Sequence, residues 1–376
     1  MTATVLRILS RHREHPGVIA SLADFEWTAA DMMTVHQLFD DPRYTLYCLD
    51  GERELAIFTA LPAGVDLTRT PFMYQAQFDQ AESLAALPFA DFIGFADSYA
   101  IEREPLLFLH NIGRCGSTAL CRALNEIDGV MALSEPEALS NMISLRHTSR
   151  DWFHALIHAS LAWLCRAAVN RGNGHYVFKL RNQASVITKP YIDALPEARH
   201  LFMYRNVIDW LASFHRLRAK RGDRPTRYTR QQVIEQQAAY YQQPAAEFEG
   251  LAPPALSHYL GLEGRALGWL YMLGVYLDLR ETGWPISALR YEDLQANRDA
   301  VLAEVARQLG VPAESLAAAR RAFASDAQAG TVFARDGERG NTVQLPAEMQ
   351  ATVRRLLALQ PVIRSADYVL PGTLLH

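Results

Sequence analysis

Lysine is nearly missing from this 376-residue chain: Lys179, Lys189 and Lys220 are three among 37 basic side chains, so Lys179, at the end of an apolar run, draws notice. Cysteine is sparse as well. Cys48, Cys115, Cys121 and Cys165 form no CxxC pair and no regular spacing, which leaves reduced thiols rather than a zinc or disulfide framework. No apolar run is long enough to cross a bilayer; the longest candidate, Ala266 to Leu277, stops at Asp278. The segment from Met1 to Arg13 has too short an apolar stretch for a signal peptide, with its charges on the wrong side. These absences predict a cytoplasmic protein with no membrane span. A hydrophobic fraction of 49% and a charged fraction of 21% predict an ordinary globular chain with a sizeable core.

The nucleotide-triphosphate loop G-x-x-x-x-G-K-[ST] is absent too. In its place stands an apolar run, Leu106 to His110, that enters Asn111-Ile112-Gly113-Arg114-Cys115-Gly116-Ser117-Thr118 and opens into a helical pattern. Backbone N–H groups at a helix start have no intrahelical partner and sit at the positive end of the helix dipole, so an anion docks there. Gly113 and Gly116 allow a tight turn, Arg114 brings charge, and Ser117 and Thr118 bring hydroxyl donors.

The formal net charge of −4 conceals an asymmetry. Residues 1–104 carry sixteen Asp and Glu against seven Arg and no Lys, so the rest of the chain is basic. Residues 199–230 hold nine Arg and Lys against two Asp, a concentration that favours anion binding. The layout changes at the same place. Residues 44–49, 54–60 and 72–78 are short β-prone runs and predict antiparallel strands in an α+β region, 1–104. From 105 to 376, apolar runs at 106–110, 176–180, 200–204 and 286–290 alternate with helical stretches such as 117–127 and 206–220. That order predicts an α/β domain with a mostly parallel sheet flanked by helices. Ligands of such sheets sit beyond the carboxyl ends of the strands, so the loops after 110, 180 and 204 are expected at one site.

Three later motifs join the loop. Arg205 follows the run 200–204 and Ser213 comes eight residues on; Leu289-Arg290-Tyr291-Glu292-Asp293-Leu294 closes the fourth run; Phe333 to Asn341 is a loop carrying Arg335, Arg339 and Gly340. Together, over about 105–343, these resemble the sulfotransferase family in family order. The resemblance implies the P-loop NTPase-like sulfotransferase fold, with 3′-phosphoadenosine 5′-phosphosulfate (PAPS) as donor and 3′-phosphoadenosine 5′-phosphate (PAP) as product, and no metal. It implies that Arg114, Cys115, Gly116, Ser117 and Thr118 hold the 5′-phosphosulfate, and that Arg205 and Ser213 hold the 3′-phosphate. Arg335, Arg339 and Gly340 would close over the same group, although their order departs from the family's Arg-Lys-Gly. The Arg290 to Leu294 run is read as structural.

Sulfuryl transfer demands an in-line nucleophile and cations where charge develops, by analogy with phosphoryl transfer. Arg114 and Lys179 fit that need. A base must also take the acceptor proton. Cytosolic small-molecule sulfotransferases carry a histidine two residues after the strand-end lysine, and here Lys179-Leu180-Arg181 lacks it. Glu135, in Leu133-Ser134-Glu135-Pro136-Glu137, resembles the Glu-Pro of carbohydrate-type and bacterial members and is the preferred base, ahead of Glu137 and His110. The acceptor is expected to be a small molecule, lipid or carbohydrate offering a hydroxyl or amine, with no nucleic-acid partner. Residues 1–104 are open to acceptor recognition or a contact in a homo-oligomer. Two other classes stay open: a kinase or NTPase using the loop for ATP, and a non-catalytic nucleotide-binding protein.

Overall fold

The computed structural model describes residues 1–13, 17–98, 106–169, 174–221, 226–323 and 344–375. Arg335, Arg339 and Gly340 lie outside the described residues. The chain divides into two compact units, Met1–Leu109 with Thr118–Arg199 and Ala306–Ser325, and His110–Ser117 with His200–Val305 and Asp326–His376.

In the first unit, β1 (Thr2–Arg11), β2 (Phe25–Thr34), β3 (Tyr44–Asp50), β4 (Leu55–Ala60) and β5 (Ser83–Pro88) form a sheet in the order β2-β1-β5-β4-β3. Every pairing in it is antiparallel. The runs at 44–49 and 54–60 are strands as expected, but 72–78 is a helix, Met73–Gln80. Its buried residues are Met73, Tyr74 and Gln77, the spacing of one helical face. The aromatic alternation of Phe72, Tyr74 and Phe78 imitated a strand.

The N-terminal sheet shares its core with the helix Arg150–Val169. Trp163, 2% exposed, has its ring 4.7 Å from that of Phe58 and is stacked on Phe92 at 5.9 Å. Asn141, on the helix Glu137–Leu145, ties in a second edge by accepting from Leu49 N and donating to Ala20 O. One apolar cluster therefore holds residues from both ends of this unit.

The second large sheet contains β6 (Leu106–Asn111), β7 (Val130–Ser134), β8 (His175–Lys179), β9 (Arg199–Tyr204) and β12 (Ile286–Arg290), in the order β12-β9-β6-β8-β7. A two-residue antiparallel ladder, β10 (Tyr228–Thr229) with β11 (His258–Tyr259), lies between β9 and β12 in sequence. Pairings β6–β8, β7–β8 and β9–β12 are parallel, as the alternation of apolar runs and helices requires. The fold is thus α/β, a mostly parallel sheet flanked by helices, with an antiparallel sheet at its N-terminal side. Among the described residues no helix is long and apolar enough to cross a membrane.

In the second unit, His110 on β6 and His200 on β9 are buried against each other, Nε2 to Nδ1 at 3.0 Å. Burial, and then the neighbouring ring, hold His110 well below its ordinary value of 6.5. It is neutral when folded and takes up a proton when unfolded below that value, so its contribution to stability is present above about pH 6.5 and is lost as pH falls. Denaturant titrations of wild type between pH 8 and pH 5 should show stability falling below pH 6.5, by up to about 1.4 kcal/mol per pH unit for one proton. His110→Gln should flatten that slope; an unchanged slope would show that other groups cause it.

Candidate functional site

The loop between β6 and the helix Ser117–Leu124 has a strained backbone. Gly113, Arg114 and Gly116 have φ of 74°, 55° and 82°, and the left-handed region costs a non-glycine residue such as Arg114 about 1–2 kcal/mol. A run of turns of this kind makes a concavity of N–H groups suited to an anion. The second unit holds the loop in place. Gly113 O accepts from Trp210 Nε1 at 2.9 Å, Ile112 N donates to Met203 O at 3.2 Å, and Gly113 N donates to the side chain of Asn111 at 2.9 Å.

Gly116 has a second reason to be glycine. A Cβ there would meet Tyr291 Cδ2 at 3.0 Å and Leu294 Cδ2 at 3.1 Å, so the Tyr291 to Leu294 run acts as the floor of the loop. Gly116→Ala, combining the positive φ with this crowding, should cost about 1–3 kcal/mol of stability. Thermal denaturation and calorimetry check this; an unchanged melting temperature would show that the floor yields.

Arg205 follows β9, and its position is fixed from several sides. Its carbonyl accepts from Trp269 Nε1 at 2.8 Å, and its guanidinium lies 4.2 Å from the centroid of the Tyr291 ring. Arg205 Nη1 is 3.4 Å from Arg114 O, and Nε is 4.0 Å from Glu292 Oε1. That Nε is buried and makes no hydrogen bond. Glu292 is pushed up by burial, while its Oε1 accepts from Asn206 N at 3.2 Å. Asn206 Oδ1 caps the helix Val207–Arg221 by accepting from Ile208 N at 2.8 Å.

The structure thus joins Arg205 to the loop through Arg114 O. Ser213 lies on the same helix as Trp210, is 2% exposed, and donates to Trp210 O at 2.6 Å. Its hydroxyl hydrogen is engaged by its own helix. Cys115, Ser117 and Thr118 are all buried. Arg216 was not singled out by the sequence, although it lies in the basic stretch 199–230. Burial, and then the charge of Arg205, lower its pKa.

The first unit assembles the other candidates. Glu135, just beyond β7, adopts φ 59°, and its N–H donates to Lys179 O at 2.7 Å. Its Oε1 accepts from Lys179 Nζ, and its Oε2 is 3.7 Å from Arg181 Nε. Lys179 Nζ also lies 5.5 Å from the Phe72 ring centroid. Burial pushes the nearby Cys121 thiol up to about 12, so it stays protonated at neutral pH. Glu137, the second-ranked base, is fully buried and accepts from Arg181 Nη1 and from Ala20 N, each at 2.8 Å. That engagement gives it a structural task. His110, the third-ranked base, is sealed against His200. Arg181, Arg13 and Tyr74 were missed as participants; the replacement of the expected histidine by Arg181 was the one signal in the sequence. No group of three or more His, Cys, Asp or Glu among the described residues could hold a metal ion.

No protein-family model and no curated protein matches the chain. Solved structures do resemble it. A sulfotransferase from Alicyclobacillus acidocaldarius matches 68% of this chain and 92% of its own, at 16% identity and a TM-score of 0.37. The sulfotransferase domain from the curacin biosynthetic pathway matches 68% and 96%, at 13% identity and a TM-score of 0.40. Mouse sulfotransferase complexed with PAP matches 71% and 88%, at 15% identity and a TM-score of 0.38. Superpositions this loose carry no argument, and the function rests on the chain's own residues.

Proposed function

We propose that the protein is a sulfotransferase that moves a sulfuryl group from PAPS to a hydroxyl or amine of a small molecule, lipid or sugar. The observation that supports this most is the link, within one unit, between the left-handed Gly113–Gly116 loop and Arg205. A loop alone suits any phosphate. A second cationic position at Arg205, joined to the loop through Arg114 O, suits a nucleotide with a further anionic group such as a 3′-phosphate.

On this reading Arg114 to Thr118 hold the 5′-phosphosulfate, and Ser213 joins Arg205 once its hydroxyl turns from Trp210 O. Arg335, Arg339 and Gly340 are assigned to the 3′-phosphate on the family resemblance. Glu135 takes the proton from the acceptor; the acceptor oxygen or nitrogen bonds to sulfur as the bond from sulfur to the bridging oxygen breaks. PAP leaves with the electron pair. The family resemblance assigns the stabilisation of charge on the sulfuryl and bridging oxygens to Arg114 and Lys179. The ion pair between Glu135 and Lys179 supports giving these two residues adjoining roles. Residues 105–376 carry the transfer, and residues 1–104 shape the acceptor site. The test is incubation with ³⁵S-labelled PAPS or γ-labelled ATP and a panel of hydroxyl and amine acceptors. Label transferred from PAPS supports the proposal; transfer from ATP alone overturns it.

A further inference from the structure

We propose that Arg13, Arg181 and Tyr74 form a subsite for a carboxylate carried by the acceptor. Calling the ligand an acceptor rests on the sulfotransferase reading; its charge is argued from the first unit itself.

A chain of buried ion pairs runs through that unit. Lys179 contacts Glu135, Arg181 lies 3.7 Å from Glu135 and 2.8 Å from Glu137, and Arg13 lies 3.9 Å from Glu137. Three cations meet two carboxylates, and the three cationic side chains are 5% exposed or less. The next carboxylate, Asp24, accepts from the Tyr47 hydroxyl at 2.6 Å and from Ser21 N at 3.2 Å. Among the described residues, the one carboxylate ion-paired with Arg13 is therefore Glu137, at 3.9 Å. Burial raises Glu137, which works against its negative charge, and holds the Tyr74 phenol at about 12, so Tyr74 supplies no compensating anion at neutral pH.

Arg13 is left short of acceptors. Its Nη2 donates to Val18 O at 2.7 Å, but its Nε and Nη1 are buried and have no hydrogen-bond partner. Buried guanidinium donors left unpaired are costly, and native proteins rarely keep them so. The guanidinium groups of Arg13 and Arg181 lie 4.6 and 4.3 Å from the centroid of the Tyr74 ring. An anionic oxygen group accepting from Arg13 would supply the missing acceptors through charge-assisted hydrogen bonds. The segment Gly17–Ala20 is tied to this cluster by backbone: Val18 O accepts from Arg181 and Gly17 O from Gln183, and Ala20 N donates to Glu137. Acceptor recognition, one of the two roles open to residues 1–104, would thereby rest on Arg13 and Tyr74.

The experiment titrates the full chain calorimetrically with acetate, glycolate and 4-hydroxybenzoate, each against its neutral amide. At least one carboxylate should bind about tenfold or more tightly than its amide, the range of a charge-assisted hydrogen bond. Arg13→Gln should abolish that preference and Arg13→Lys should keep part of it, with folding checked by circular dichroism. No preference in any wild-type pair overturns the subsite, and so does a preference retained by folded Arg13→Gln, which would mean that water or Glu137 satisfies Arg13. PAP is titrated alongside. Failure of wild type to bind PAP would overturn the sulfotransferase reading and leave the carboxylate result to be judged by its own comparison.

Discussion

Arg205→Ala is expected to weaken PAP binding by about 10- to 150-fold, the equivalent of about 1.5–3 kcal/mol for a hydrogen-bonded charge pair. Binding of adenosine 5′-phosphate, which lacks the 3′-phosphate, should change by less than about threefold on the same basis. The asymmetry follows from the position of Arg205: its buried Nε makes no hydrogen bond, and its guanidinium is braced on Tyr291. Calorimetry with both nucleotides decides the matter. Equal losses would remove Arg205 from the 3′-phosphate and make it a support of the loop through Arg114 O.

Glu135→Gln should lower kcat by about 10²- to 10⁴-fold, the usual contribution of a general base, with PAP affinity retained. Glutamine keeps the shape of the side chain but cannot take the acceptor proton. It also loses the ion pairs to Lys179 and Arg181, so a purely structural role for Glu135 would appear as a fall in melting temperature. The pH profile separates the two roles. If Glu135 is the base, the variant's residual rate should lose the limb that reports the base's deprotonation; an unaltered profile with unchanged kcat would assign proton removal to another group.

The parallel sheet was legible because buried parallel strands are continuous apolar runs. Leu106–Asn111, His175–Lys179, Arg199–Tyr204 and Ile286–Arg290 match the expected runs to within a residue at either end. β1 and β2 left little trace, since β2 is almost wholly exposed and has no alternating apolar face to read. The helix Met73–Gln80 was misread because its aromatic residues favour strands, while its buried face decided the outcome. The loop Gly113–Gly116 was legible from its glycines and its place between strand and helix. The positive φ of Arg114 and Glu135 was not, since arginine and glutamate rarely adopt it. Partners distant in sequence were hidden for a simpler reason: spacing along the chain carries no record of which loops meet. Glu135 with Lys179, Arg13 with Glu137 and Arg205 with Tyr291 emerge only in three dimensions.

The central claim is that the loop and Arg205 read a 3′-phosphorylated nucleotide rather than a triphosphate. Competitive titration of the wild-type protein with PAP, adenosine 5′-phosphate and ATP tests it most directly. The account predicts PAP bound at least about tenfold more tightly than either competitor, as one additional charge-assisted contact would give. ATP bound as tightly as PAP, or more tightly, would contradict it.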